Sequence, residues 1–187
     1  MKKLVVIING AGGAGKDTIV NVVARHYKVT NRSSIDPIKE AAKICGVDPP
    51  EFKWDQGRKL LSDLKMLFSE YNDYPMRYML GRFAQFMQGD SEVLFMHVRE
   101  PDEIEKLRRE IKRLTREPSY FLRVTPDVRV CTLLIRGRES REFGNIADDG
   151  VEDYSYDYTY ENSGKLENLE NDFIPFFEKI LEEQERI

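Results

Sequence analysis

Between Gly10 and Thr18 the chain reads GAGGAGKDT, which meets the spacing G-x-x-x-x-G-K at Gly10, Gly15 and Lys16. Gly10, Gly12, Gly13 and Gly15, with Ala14 among them, let a backbone wrap until successive N–H groups point inward at phosphate oxygens. A helix opening near Lys16 adds the positive end of its dipole to that nest. Lys16 would then reach the β- and γ-phosphates of a nucleoside triphosphate and follow charge as it develops on a transferring group. The next position usually carries a hydroxyl for Mg²⁺, and here it is Asp17. A carboxylate serves a hard cation directly or through water, and it also serves as a helix cap. Thr18 follows and can bond the α-phosphate.

A group that moves needs an acceptor, and phosphate acceptors are held by guanidinium forks. Arg58, Arg77 and Arg82 lie between the first strand and the strand at Glu92 to Val98 and could supply such forks. Arg99 stands at the end of the central strand, where open α/β sheets bind ligands. Arg136, Arg138 and Arg141 flank a polar stretch suited to closing over the γ-phosphate and excluding water. Asp36 can hold an acceptor hydroxyl or cap the helix that begins there. His97 ends a strand and reads either as a packed histidine or as a ligand.

These residues need elements to hold them. Lys3 to Asn9 is a continuous apolar run without alternation, the pattern of a strand buried on both faces of a parallel sheet. Thr18 to His26 has helical spacing, and Tyr27 to Ile35 holds a weakly signalled strand. Asp36-Pro37 opens a helix that stops at Gly46, and Asp48-Pro49-Pro50 reads as a loop. Gly57 to Tyr71 is amphipathic with Leu60, Leu61, Leu64, Leu67 and Phe68 on one face. Pro75 to Gln88 is a helix whose Met and Phe residues suit a core. Glu92 to Val98, Val128 to Ile135 and Tyr156 to Glu161 read as strands. Pro101 to Arg113 is a helix with acids first and bases last, and Leu166 to Ile187 a terminal amphipathic helix. Arg136 to Asp153 is polar and glycine-punctuated, a mobile segment over a site. Strands alternate with helices, which predicts a three-layer α/β domain.

The 187 residues fit one domain, 1–187, with 36–90 an acceptor-binding helical segment and 136–155 a lid-like one. Hydrophobic residues make up 41%, enough for a packed core and too many for a disordered chain. A net charge of −4 argues against a nucleic-acid protein, whose footprint is basic. No apolar run approaches the roughly 18 residues of a membrane span. The five apolar residues after Lys3 are too few for a secretory signal, and Cys45 and Cys131 make neither a disulfide framework nor a metal quartet. The expectation is a cytoplasmic protein with a small-molecule partner and no nucleic acid or membrane.

The G-K-D-T ending resembles the deoxynucleoside monophosphate kinases of phages and bacteria. More of the chain is similar to that family. His97-Val98-Arg99-Glu100-Pro101-Asp102-Glu103 resembles its D-V-R-x-P-N-E, and Asp36-Pro37-Ile38-Lys39-Glu40 its D-P-x-K-E. Gly57-Arg58-Lys59-Leu60-Leu61 resembles its P-R-x-L-L. Asp157 to Gly164 resembles a D-x-x-I-x-N-x-G shared with dephospho-coenzyme A kinase. The resemblance implies a P-loop NTPase fold with a parallel five-stranded sheet in the order 2-3-1-4-5. It implies ATP with Mg²⁺, metal contact at Asp17, and catalytic Lys16, Arg99 and Arg138. Asn162 would lie near the adenine, and Asp36, Lys39, Arg58, Arg77 and Arg82 would face a (deoxy)nucleoside monophosphate. A kinase of another metabolite such as dephospho-coenzyme A, and an ATP-binding protein without transfer, are the alternatives. His97 stands where the family has an acid, and the family's Ser-Glu pair before the last strand is not recognisable.

Overall fold

The first strand, β1 (Lys3–Asn9), shows why an unbroken apolar run is needed. Successive side chains point to opposite faces of a sheet, so Leu4, Val6 and Ile8 enter one core while Val5 and Ile7 enter the other. Both sets are essentially without solvent exposure. In the computed structural model, which describes residues 3–116, 127–137, 150–162 and 166–186, β1 is the centre of a five-stranded sheet. Its partners are β2 (Val29–Ser33), β3 (Val93–His97), β4 (Val128–Gly137) and β5 (Tyr158–Asn162). The order is β2-β3-β1-β4-β5 and every pairing is parallel, as expected.

The helices are α1 (Lys16–Val23), α2 (Asp36–Ile44), α3 (Asp55–Asn72), α4 (Tyr74–Gln88), α5 (Pro101–Arg116) and α6 (Leu169–Arg186). α1 and α6 close one face around Phe95, Phe173 and Phe177. α4 and α5 close the other with Met76, Met79, Phe83, Ile104, Leu107 and Ile111, so the Met and aromatic stripe of α4 is core. Burying each such side chain contributes about 1.5–3 kcal/mol. A small third cluster of Ile38, Ala42 and Leu61 lies between α2 and α3.

Several boundaries differ from the sequence expectation. α1 starts at Lys16, where the phosphate-loop reading put it, with Gly15 at φ 92° as its cap, but ends at Val23, short of the expected His26. Pro49–Lys53 forms a 3-10 turn rather than a plain loop. In α3 only Leu61 of the expected apolar face is buried; Leu64 and Phe68 are half-covered and Leu60 and Leu67 lie outside. The 3-10 turn, α2 and α4 are the neighbours packed against α3, and they leave its Leu60–Leu67 flank open. β5 begins at Tyr158, since the Asp157 carboxylate already takes the Thr132 N–H at 2.8 Å. Residues 138–149, the body of the expected lid, lie outside the described residues.

The register brings the carboxyl ends of three strands together. Ile8 pairs with His97, and His97 with Ser33. Asn9, Ser33 and His97 therefore share one edge, at the point where the order reverses, which is where such sheets bind ligands. No helix among the described residues is long and apolar enough to cross a membrane.

Candidate active site

Gly10 leaves β1 at φ 147°, and a Cβ there would lie 2.3 Å from the Ile135 carbonyl oxygen, so only glycine passes between β1 and β4. Gly15 is equally constrained: a Cβ would meet the Asn162 amide at 2.4 Å. Asn162 Nδ2 donates to the Ala14 carbonyl at 2.9 Å, so this residue clamps the loop from β5. Ala14 is buried, with Gly137 packed against it. Lys16 Nζ donates to the Gly10 carbonyl and, at 2.9 Å, to that of Ala11. Its ammonium thus folds back over the nest it borders. Thr18 sits in the first turn of α1.

The loop opens into a cleft of about 570 Å³. Gly12, Gly13, Lys16 and Asp17 line it together with Asp36, Lys39, Arg58, His97 and Arg99. These residues come from distant positions in the chain, and the sheet's edge gathers them. Arg32, Lys65, Glu100, Asn9, Asn31 and Phe52 also line it, unforeseen from sequence. Six cations (Lys16, Arg32, Lys39, Arg58, Lys65 and Arg99) face three carboxylates (Asp17, Asp36 and Glu100). In a chain of net charge −4, that excess is local and suits a polyanionic ligand.

Two acids do something other than cap. α1 is capped by Gly15, and the Asp17 side chain is 88% exposed at the cleft. α2 is capped by Ile35, and Asp36 Oδ2 reaches back to accept the Ser33 N–H at 2.7 Å, so its expected capping role fails. Between them His97 is 12% exposed, with Nε2 3.9 Å from Asp17 Oδ1 and without a hydrogen-bond partner. Burial holds this imidazole below its ordinary range, against the pull of Asp17 and Asp36 and with the aid of Lys16 and Arg99. A neutral Nε2 of that kind can accept a hydrogen bond from a ligand or its water.

Across the cleft, Lys65 on α3 donates to both oxygens of Glu100, at 2.5 and 2.6 Å. The sequence signal for Lys65 was its place on the inner face of α3, four residues after Leu61 and three before Phe68. For Asn9 it was a polar residue closing an otherwise apolar strand.

Other expected residues lie elsewhere. Arg77 is exposed on α4, and Arg82 bonds Gln85 and stacks over Tyr78; neither lines the cleft. Both project from a helix that spends its inner face on the core. Arg136 donates to Glu152 and Glu161, which raise its already high pKa. Arg138 and Arg141 lie outside the described residues. Among the described residues no cluster of three or more metal-ligating side chains occurs. The site still fits Mg²⁺, which uses one or two carboxylates and takes its other ligands from phosphates and water.

No protein-family model matches the sequence, and no curated protein matches it. Among solved structures, the chain is similar to TT1252 from Thermus thermophilus, with TM-score 0.48 and 15% identity over 96% of this chain and 98% of that one. It is also similar to the shikimate kinase from Aquifex aeolicus, with TM-score 0.46 and 13% identity over the same shares. At such identities the likeness concerns the fold.

Proposed function

We propose that this chain is an ATP-dependent phosphotransferase whose acceptor is a (deoxy)nucleoside monophosphate. The observation that carries this reading is one cleft lined both by the glycine-built loop with Lys16 and by Lys39, Arg58 and Arg99. Phosphoryl transfer asks a protein mainly for positioning and positive charge around an in-line pair of oxygens. The motifs resembling nucleoside monophosphate kinases supply the acceptor class.

In this reading the N–H groups of Gly12 to Lys16 receive the donor phosphates. Lys16 exchanges the Gly10 and Ala11 carbonyls for β- and γ-phosphate oxygens. Asp17 would hold Mg²⁺ directly or through water, and the ion, when bound with ATP, neutralises charge building on the phosphates. Arg58 and Arg99 fork the acceptor phosphate. Asp36 orients an acceptor hydroxyl, and Asn162 fixes the loop from beneath.

A reading without transfer is favoured by one observation: Asp17 puts a negative charge beside the nest where a hydroxyl is usual. The two separate in a coupled assay of ADP release with MgATP, run against ribo- and deoxynucleoside monophosphates and dephospho-coenzyme A. Stimulation by a nucleoside monophosphate supports the proposal. Stimulation by dephospho-coenzyme A alone redirects the acceptor class, and ATP binding with no stimulation supports the binding-only reading.

A further inference from the structure

Asn9 is wholly buried at the end of β1, and its amide is almost fully used. Its Oδ1 accepts the Gly10 N–H at 2.8 Å. Its Nδ2 donates to the Arg99 carbonyl at 2.8 Å and to the Tyr156 hydroxyl at 2.7 Å. The Tyr156 hydroxyl in turn donates to the Val151 carbonyl at 2.9 Å. One side chain therefore joins the first glycine of the phosphate loop, the backbone of a cleft arginine and the turn that leads into β5.

We propose that Asn9 is a positioning residue that couples nucleotide on the phosphate loop to Arg99 and to the Val151–Tyr156 turn. The inference rests on the loop being a nucleotide site and goes beyond it by assigning a route between the cleft's two ends. Gly10 is the shared point. Its N–H is held by Asn9, and its carbonyl accepts from Lys16. When Lys16 leaves that carbonyl for a phosphate, the bonding of Gly10 changes on one side while Asn9 holds the other. Gly10 has little room to absorb the change alone, because Ile135 stands against its Cα. Asn9 passes it to the Arg99 carbonyl and to Tyr156.

The chemistry of each member suits the role. An amide both accepts and donates, which no apolar residue of that size can do. Removing Asn9 from this network strands the Gly10 N–H and the Arg99 carbonyl, so these groups move with the amide rather than independently. Burial raises the Tyr156 phenol to about 12, and the hydroxyl keeps the proton it donates to Val151. Tyr154 packs edge-on against Tyr156 and fixes the ring from the side.

Hydrogen–deuterium exchange tests the coupling without requiring turnover. Wild type and Tyr156→Phe are compared with and without a non-hydrolysable ATP analogue, and thermal unfolding checks that the variant is folded. Tyr156→Phe is preferred to Asn9→Ala, which strands the Gly10 N–H and the Arg99 carbonyl together and can prevent folding. The expected result is that the analogue slows exchange in both the Gly10–Thr18 and the Val151–Tyr156 peptides of wild type. In Tyr156→Phe the loop protection stays within about twofold and the second protection is lost, a separation that general destabilisation would not give. Loop protection without any at Val151–Tyr156 in wild type overturns the coupling, as does protection there that survives in Tyr156→Phe. Absence of protection on the loop itself refutes the nucleotide site, and the coupling with it.

Discussion

The two ends of the cleft are built in different ways. The phosphate loop is held closely: Gly10 against the Ile135 carbonyl, an Asn162 clamp, and flanking cores of eighteen and thirteen buried residues. The opposite wall is held by side chains on α2, α3 and the 3-10 turn, over a cluster of only three buried residues. Seven of the eight large apolar residues exposed among those described lie between Ile44 and Tyr74, so this layer buries little of what it carries. Under the proposed function, a loop that binds the same triphosphate each cycle gains from a preorganised nest. A wall that admits and releases a second substrate gains from low local stability.

The sharpest way to break this comparison is to remove one buried side chain from each end. Phe95→Ala should lower global stability by about 3–5 kcal/mol, the usual cost of such a cavity, measured by denaturant unfolding. Ile38→Ala should take less than about 1 kcal/mol from global unfolding while speeding exchange across α2 and α3, because that layer opens before the sheet. Equal losses of global stability would make the two ends one cooperative unit.

Gly57→Ala sharpens it further. A Cβ at Gly57 would lie 1.9 Å from the Glu51 carbonyl oxygen, so the 3-10 turn must move away and take Phe52 with it. Acceptor affinity should fall about tenfold, close to 1.4 kcal/mol, while ATP affinity measured by calorimetry stays unchanged. A parallel loss of ATP affinity would show that the ends are not separately built.

The smallest effect concerns Lys65 and Glu100. Burial alone would raise the Glu100 carboxyl, but the charge and hydrogen bond of Lys65 outweigh that and hold the group below the ordinary glutamate range. A carboxylate depressed in the folded state stabilises above its unfolded pKa, and that support is lost as pH falls through the folded value. Thermal scans taken as pH falls through the acidic range should therefore show α3 loosening in wild type, and Lys65→Met, which leaves burial less opposed, should flatten or reverse the dependence. An identical pH profile in Lys65→Met would remove the pair from the account.

The same contrast decides what was legible in the sequence. The loop and the core faces of β1 and α4 follow from local rules, since glycine spacing and unbroken apolar runs act within a few residues. The sheet order is implied only by the resemblance of whole motifs to a kinase family. The wall built by α2, α3 and the 3-10 turn does not follow from local rules. On α3 the apolar residues offer two overlapping stripes, and choosing Leu60 and Leu67 for the inner face misses that Arg58, Leu61, Lys65 and Phe68 share it. Arg77 and Arg82 looked equivalent to Arg58, yet only tertiary packing turns one arginine into the cleft and the others to solvent. Asp36 and Asp17 had the composition of caps and neither caps, because the preceding backbone had already closed the helix.

The central claim is transfer itself, and phosphorus NMR of the acceptor tests it most directly. With MgATP and the stimulating nucleoside monophosphate, wild type should give rise to a diphosphate signal on the acceptor. Lys16→Ala, folded to the same melting temperature, should slow its appearance by about 10²–10³, the scale of losing one preorganised charge-stabilising donor. Unchanged transfer in Lys16→Ala, or ATP consumed with no phosphorus arriving on the acceptor, would contradict the account.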